Sequence, residues 1–133
     1  MARVGSKRTA RSETRQVAAL PWRLENGQRR ILMITSRETR RWVIPKGGRM
    51  VGKTDPEAAA QEAMEEAGVK GDIDSQSIGV FRYAKGMRDG GVRQCVVSVY
   101  PLEVLIQMGV WPEAHQRERR WMTPGEAADL VHE

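Results

Sequence analysis

Cysteine, histidine and aromatic residues are scarce in this chain of 133 residues, which has one cysteine and two histidines. A single cysteine excludes an internal disulfide and fits a reducing compartment. No stretch is apolar for the roughly 20 residues that a membrane-spanning helix needs. Residues 1–8 lack the apolar core of a signal peptide. We therefore expect a cytoplasmic protein without a membrane segment, and the scarcity of His and Cys argues against a zinc site.

Positive charge is in excess, because 22 Lys and Arg residues outnumber 17 Asp and Glu residues and give a net charge of +5. A basic protein favours an anionic partner, either a highly phosphorylated small molecule or nucleic acid. Residues 1–15 are basic and contain few apolar residues, which predicts a flexible arm. The remaining residues, 16–133, are expected to form one domain.

The most informative segment is a predicted helix that carries three glutamates. Thr54-Asp55-Pro56-Glu57 has the pattern of a capping box with proline in the first turn. Gly68 can take the left-handed conformation that ends a helix. At about 100° per residue, Glu62, Glu65 and Glu66 fall on one side. The predicted docking face lies on the opposite side and contains Ala60, Ala63, Met64 and Ala67.

Clustered carboxylates repel one another, and a divalent cation among them reverses the sign of that interaction. Mg²⁺ prefers oxygen ligands in octahedral geometry and retains waters that a phosphate can replace. The glutamate side of the helix therefore fits a magnesium site. A solvated acidic surface is the alternative that the helix alone leaves open.

The glycines around this helix resemble those of the Nudix box, G-x5-E-x7-R-E-U-x-E-E-x-G-U, in which U is aliphatic. Gly47 matches the first position, the three helix glutamates match the last three glutamates, and Gly68-Val69 match the end. Residues 41–48, 68–71 and 117–121 resemble the diphosphoinositol polyphosphate phosphohydrolase branch of the Nudix hydrolases. The resemblance extends over residues 16–132.

Two positions depart from the box. Lys53 stands where the family has its first glutamate, and Gln61 stands where the family has arginine. In the family these two residues pair and brace the loop against the helix. Both partners are exchanged here, so we expect a Lys53–Gln61 hydrogen bond in place of the usual brace.

The pattern of the whole chain predicts an α/β fold. Strands are predicted at residues 16–24, 29–35, 42–44, 78–84, 94–105 and 119–122, and Asn26-Gly27 is a typical two-residue hairpin turn. Thr123 and Glu126 cap a final helix that extends to Val131. Helices on both faces of a mixed sheet give three layers, and the resemblance implies the same α-β-α sandwich. Trp22, Trp42 and Trp121 are expected to pack inside it.

The resemblance implies metal-dependent hydrolysis of a phosphoanhydride bond in a polyphosphorylated small molecule, with Mg²⁺ or Mn²⁺. The branch points to diphosphoinositol polyphosphates or dinucleoside polyphosphates. We assign Glu62 and Glu66 as the principal metal ligands, and Glu65 as a further ligand or as the residue that orients the water. The resemblance adds a backbone carbonyl at the turn formed by Lys46 and Gly47.

Some Nudix enzymes use a late glutamate as general base, and the sequence leaves Glu113 and Glu118 as equal candidates. Basic side chains outside the box are candidates for binding phosphate, since guanidinium groups match phosphate oxygens. These are Lys46, Arg37, Arg41, Lys85, Arg88, Arg93, Arg117 and Arg119. Each of them alone is equally compatible with an ordinary solvated charge.

Two other functions fit the same residues. The first is a weakly catalytic or non-catalytic module that binds RNA or another anion, which the exchanged Lys53 and Gln61 would allow. The second is hydrolysis of a nucleoside triphosphate or of an RNA end. An aromatic content of 5% argues mildly against recognition of a base, and the absence of an RNA-binding motif argues against nucleic acid.

Overall fold

The computed structural model describes residues 13–131. Most of the predicted basic arm therefore lies outside the described residues. The first strand begins at Glu13, so residues 13–15, which were expected in the arm, belong to the sheet.

Eight strands form one mixed sheet in this part of the chain. They are β1 (Glu13–Glu25), β2 (Gln28–Thr35), β3 (Trp42–Val43), β4 (Lys46–Gly48), β5 (Val69–Ile73), β6 (Gly79–Gly86), β7 (Val92–Gln107) and β8 (Arg119–Met122). Two α-helices, α1 (Asp55–Glu62) and α2 (Pro124–Val131), and a π-helical turn (Ala63–Ala67) complete the described fold.

The sheet has the order β3-β2-β1-β7-β5, with β4 also paired to β1, β6 to β7 and β8 to β2. β1 and β7 are parallel over a long register from Glu13 opposite Gln94 to Trp22 opposite Glu103. Every other pair is antiparallel. The central position that the sequence predicts for β7 is confirmed, because β1 pairs with one edge of β7 while β5 and β6 pair with successive parts of the other.

Alternation along β2 separates the two faces of the sheet. Leu32 and Ile34 pack in the cluster that contains the alanines of α1. Ile31 and Met33 pack in a second cluster with Met122 and with residues of α2. One helix on each face confirms the predicted α-β-α sandwich.

The three tryptophans expected in the sandwich are all packed against its core. Trp22 and Trp42 border the cluster on the α2 side, and Trp121 borders the cluster on the α1 side. The hairpin at Asn26-Gly27 is also as expected, because both residues have positive φ, 53° and 78°.

The sequence did not predict strands β4 and β5, because their residues have low strand propensity. β4 consists of one lysine and two glycines, and β5 contains Gly71 between charged residues. Gly71 follows an irregularity in the register of β5 against β7. A side chain at Gly71 would overlap the carbonyl oxygen of Glu103. The close approach of two backbones therefore explains this glycine.

No helix in residues 13–131 is long and apolar enough to cross a membrane.

Replacing Gly71 by alanine is predicted to lower the free energy of unfolding by about 2 kcal/mol, because the new methyl group forces β5 away from β7. Gly79→Ala is the matched control, since Gly79 also lies in a strand and has open space where its side chain would be. Urea denaturation of both variants measures the difference. Equal stabilities of the two variants would contradict the proposed backbone contact.

Candidate active site

The helix that carries the glutamates begins as predicted. The Thr54 amide donates to Glu57 Oε1 (2.8 Å), and the Glu57 amide donates to Thr54 Oγ1 (3.2 Å). This reciprocal pair is the capping box. The preceding loop is tied to the helix start by Arg49, whose Nε donates to Asp55 Oδ1 at 3.0 Å.

The second half of the helix differs from the prediction. α1 ends at Glu62 and continues as a π-helical turn that includes Glu65 and Glu66, and Gly68 then adopts φ 68°. A π-helical turn is wider than an α-helical turn and is frequently found at functional sites. The 100° rotation used to place the glutamates therefore does not apply beyond Glu62.

The face that this helix buries is also shifted from the predicted one. Ala60 and Met64, which were expected to face the sheet, are only half-buried. Glu66, expected on the open side, has only 7% of its surface exposed. The fully buried alanines of the helix and turn are Ala58, Ala59, Ala63 and Ala67.

Glu62 and Glu66 meet between the helix and β4. Their carboxyl groups are within hydrogen-bonding distance of each other. A side chain at Gly47 would overlap the Glu62 carboxyl, so only glycine allows β4 to lie so close. The Lys46 amide donates to Glu66 Oε1 at 3.2 Å. Two acidic side chains and the glycine-rich strand thus form one compact oxygen-rich site.

Arg117 provides the positive charge next to this pair, and its side chain is only 9% exposed. Its Nη2 lies 3.7 Å from Glu66 Oε1, its Nε donates to Glu113 Oε1 at 2.7 Å, and its Nη1 donates to the Thr35 carbonyl at 3.0 Å. In the structure the Arg117 guanidinium contacts two glutamates and is placed to position them. The expectation that Arg117 binds substrate phosphate stays a prediction.

The two carboxyl groups hold protons more tightly than exposed glutamates do. Burial raises the pKa of Glu66 to about 8, the contact with Glu62 acts in the same direction, and Arg117 opposes both. Burial also raises the pKa of Glu62. The contact with Glu66 opposes this shift, and the charges of Glu65 and Glu113 add to it. The pair therefore favours a shared proton or a cation over two uncompensated charges.

Glu65, the third glutamate, is bonded to Gln61 and not to the Glu62–Glu66 pair. Gln61 Nε2 donates to Glu65 Oε2 at 2.6 Å. The expected Lys53–Gln61 hydrogen bond is wrong, because no such bond is present among the described residues, and the amide nitrogen of Gln61 donates instead to Glu65 one turn further along. Within residues 13–131 no group of three or more His, Cys, Asp or Glu side chains has the geometry of a metal site. The predicted convergence of three carboxylates is thus reduced to the pair Glu62–Glu66.

The structure distinguishes the two late glutamates that the sequence left equal. Glu113 lies beside the site, because its side chain accepts from Arg117 and its charge acts on Glu62. Glu118 points away and accepts from Arg40 Nη2 at 2.9 Å, with 65% of its side chain exposed. Of the two candidates, only Glu113 is near the carboxylate pair.

Lys46 extends from the site onto the opposite face of the strand. Its Nζ donates to Tyr83 Oη at 3.1 Å and lies 4.6 Å from the centre of that ring. Tyr83 in turn donates to Gln16 Oε1 at 2.8 Å, and burial raises the pKa of Tyr83 to about 12, so the phenol keeps its proton. Burial lowers the pKa of the Lys46 ammonium, against the attraction of Glu66.

The other predicted phosphate-binding residues divide into three groups. Lys85 acts electrostatically on Lys46, and its partner across the strands, Arg93, donates to Thr14 Oγ1 at 3.1 Å. Arg37 donates to Gln116 Oε1 at 3.2 Å, in the region where the Arg41 amide donates to Ser36 Oγ. Arg88 lies in the exposed turn between β6 and β7.

Arg119 is held by the backbone near the end of the helix. Its guanidinium donates to the carbonyls of Ala67 (2.9 Å) and Met108 (2.7 Å) and lies 3.8 Å from the centre of the Trp111 ring. These hydrogen bonds stabilise the end of the helix, and recognition of substrate by Arg119 stays a prediction.

Sequence reasoning missed three residues that shape the site. Tyr83 could have been noticed, because it follows Phe81 and precedes Lys85 at the two-residue spacing of one strand face. Thr35 acts through its carbonyl and through Oγ1, which accepts from the Glu118 amide. Trp111 donates from Nε1 to the Glu66 carbonyl at 3.0 Å. No local pattern signals Thr35 or Trp111, because their partners are 45 or more residues distant in the chain.

Comparison with known proteins shows the family of the chain. A family model described as the NUDIX domain matches residues 14–133. The chain belongs to the Nudix family. Nudix hydrolase 13, mitochondrial, of Arabidopsis thaliana is 40% identical over 108 residues, which are 75% of this chain and 52% of that protein. The chain thus spans about half the length of this Nudix relative.

Two further proteins extend the comparison. Diphosphoinositol polyphosphate phosphohydrolase 3-beta of Homo sapiens is 30% identical over 119 residues, or 88% of this chain and 68% of that protein. The crystal structure of a C. elegans Ap4A hydrolase binary complex has a TM-score of 0.66 at 18% identity, covering 90% of this chain and 87% of that chain. At that identity the second likeness shows the Nudix fold alone.

The residues present fit the divalent cation that Nudix hydrolases generally use. Carboxylate oxygens are the ligands that hard cations prefer, and the missing side chain at Gly47 leaves backbone directly against Glu62. Glu66 is buried, so once it has lost its proton its charge gains more from a cation than an exposed carboxylate would.

The stability of the metal-free protein is predicted to fall as pH rises from about 5 to about 8. Glu66 has a pKa of about 8 in the folded protein against an ordinary value of 4.5. The folded state therefore binds this proton more tightly, and its contribution to stability is complete at low pH and lost through the folded pKa. Calorimetry in EDTA measures the melting temperature across this range.

Glu66→Gln is expected to remove most of this pH dependence, and Glu118→Gln, in an exposed ion pair, is the control. Added Mg²⁺ is expected to stabilise the wild type more at pH 8 than at pH 5.5, because ligands must lose their protons. A melting temperature that rises with pH in EDTA, or the same profile in Glu66→Gln, would contradict this assignment.

Proposed function

We propose that the protein hydrolyses a phosphoanhydride bond in a polyphosphorylated small molecule with the help of Mg²⁺, for which Mn²⁺ can substitute. The observation that carries this proposal is the contact between the half-buried Glu62 and the buried Glu66, with the Glu62 carboxyl held against Gly47 of the glycine-rich strand. Family membership supports the same reaction. The name of the human relative supports diphosphoinositol polyphosphates as substrates, and that of the C. elegans protein supports dinucleoside polyphosphates.

We assign the ion to the two carboxylates, with the carbonyl at Lys46 or Gly47 as a backbone ligand and Glu65 at the edge of the site. When bound, the divalent ion neutralises phosphate charge and lowers the pKa of a water molecule. The side chains then contribute position and proton transfer. Arg117 contacts both Glu66 and Glu113, so its guanidinium holds the two side chains in fixed positions relative to each other.

Glu113 is our candidate for the general base that accepts a proton from the attacking water. It is near the pair, it is partly exposed at 22%, and its orientation is fixed by Arg117. A carboxylate held in this way can accept a proton without losing its place. Glu118 does not lie beside the Glu62–Glu66 pair.

Phosphate recognition is assigned to Lys46 and Lys85, which are close enough to influence each other. Arg37, Arg41, Arg88 and Arg93 provide a wider positive surface for the outer phosphates. A large positive field suits substrates with many phosphates more than a simple diphosphate ester. The substrate class therefore follows from charge, while the group that carries the phosphates is left to experiment.

A substrate panel tests the proposal. Inositol pyrophosphates, dinucleoside polyphosphates, nucleotide sugars, nucleoside triphosphates and triphosphorylated RNA ends are incubated with Mg²⁺ or Mn²⁺, and the products are identified. We expect the fastest hydrolysis among the first two classes. Glu66→Gln is expected to lower kcat by about 100-fold or more, while Glu103→Gln, on a strand away from the pair, is expected to leave it unchanged.

Failure of the wild type to hydrolyse every member of the panel would overturn the enzymatic proposal. Binding of RNA or of inositol phosphates without turnover would then support the non-catalytic alternative. Full activity of Glu66→Gln would show that catalysis occurs elsewhere.

Glu113→Gln is predicted to reduce kcat by about 100-fold, within the usual range for a general base, with metal affinity preserved. Glu118→Gln is the matched control and is expected to retain kcat within about twofold. Steady-state kinetics with the best substrate measures both, and calorimetry with Mn²⁺ measures metal affinity. Equal kcat values in the two variants would exclude Glu113 as the base.

A further inference from the structure

One later segment of the chain, residues 108–119, holds the end of the helix that carries the glutamates; we call it the clamp segment. A helix leaves the carbonyls of its last turn without partners inside the helix. Here four consecutive carbonyls each accept a hydrogen bond from the clamp segment. The pairs are Glu113 N to Glu65 O (3.1 Å), Trp111 Nε1 to Glu66 O (3.0 Å), Arg119 Nη1 to Ala67 O (2.9 Å) and Met108 N to Gly68 O (2.8 Å).

Trp111 makes the contact that bears most directly on the site, because its indole donates to the carbonyl of Glu66 itself. Its ring is enclosed by the neighbouring residues. The Arg119 guanidinium lies 3.8 Å from the ring centre. A side chain at Gly68 would come within 2.7 Å of the ring. The indole N–H therefore has little freedom to leave the Glu66 carbonyl.

Glu66 is thus fixed at both its ends. Its carboxyl group is in contact with the Lys46 amide, Arg117 and Glu62, and its main chain is held by Trp111. A π-helical turn departs locally from the α-helical hydrogen-bond pattern, and here donors outside the helix bind the carbonyls of Glu65, Glu66 and Ala67. A shift of the Glu66 main chain would move its carboxyl group relative to Glu62.

We propose that Trp111 is a positioning residue whose indole N–H, bonded to the Glu66 carbonyl, keeps the Glu62–Glu66 pair in the geometry that binds the divalent cation. The effect on turnover rests on the proposed function. The effect on metal affinity does not, because it depends only on how the two carboxyl groups are held.

Trp111→Phe tests the proposal, since phenylalanine keeps an aromatic ring under Arg119 and removes the N–H donor. Trp121→Phe is the matched control. Trp121 also donates from Nε1, to Gln107 Oε1 at 3.0 Å, and also has an arginine, Arg23, 4.0 Å from its ring centre. The two variants therefore lose the same kind of contacts, but only one of them loses a contact to the π-helical turn.

Calorimetry with Mn²⁺ is expected to show about tenfold weaker binding in Trp111→Phe, the lower end of the effect for groups that support metal ligands. With the best substrate at saturating metal, kcat is expected to fall about tenfold while KM stays within about twofold. Trp121→Phe is expected to leave metal affinity and kcat within about twofold, even where its melting temperature falls by a similar amount.

Equal Mn²⁺ affinities in the two variants would overturn the proposal and leave Trp111 as a residue that only stabilises the fold. If the wild type proves inactive on the whole panel, the comparison of Mn²⁺ affinities still decides the question. Loss of Mn²⁺ affinity in Trp111→Phe of an inactive protein would mean that the proposed function fails while this inference holds.

A measurement on the wild type covers the case in which Trp111→Phe does not fold. The chain has four tryptophans, so its indole N–H groups give four resolvable signals in a ¹⁵N NMR spectrum. Titration with Mg²⁺ is expected to shift the Trp111 signal more than that of Trp121, because only the former is bonded to the metal-binding turn. Equal or smaller shifts at Trp111 would count against the proposal.

Discussion

The site is organised by one electrostatic constraint, the contact between a buried carboxyl group, that of Glu66, and a half-buried one, that of Glu62. Glu62 and Glu66 could not both be charged there without compensation, because water is largely excluded from Glu66. The surrounding structure supplies that compensation from two places, the amide of Lys46 on β4 and the guanidinium of Arg117 before β8. The missing side chain at Gly47 leaves the space that the Glu62 carboxyl group occupies.

Sequence reasoning succeeds where the cause is local. The capping box at Thr54, the left-handed Gly68 and the turn at Asn26-Gly27 are set by neighbouring residues, and all three are present. The alternation that places Leu32 and Ile31 on opposite faces of β2 is equally local. These features suffice to predict the layers of the sandwich and the presence of its long central strand.

The rest of the site depends on contacts between distant residues, which no local pattern encodes. Charge alone cannot distinguish an arginine that faces solvent from Arg117, whose partners Thr35 and Glu66 lie on other elements. The carbonyls at the end of the π-helical turn likewise accept hydrogen bonds from residues that come 40 or more positions later in the chain. The exchanged residues illustrate the same limit, since Gln61 pairs with Glu65 and the loop is tied instead by Arg49 and Asp55.

The parallel pairing of β1 with β7 has a consequence for how the protein reaches its fold. Glu13 lies opposite Gln94, and Trp22 lies opposite Glu103. Because β7 is synthesised long after β1, this pairing forms only late during synthesis. Contacts of such long range slow folding, because a large loop must close before they form. The supports of the carboxylate pair come later still, with Trp111 and Arg117. We therefore expect the site to be among the last parts of the nascent chain to become ordered, after the sheet has closed around it.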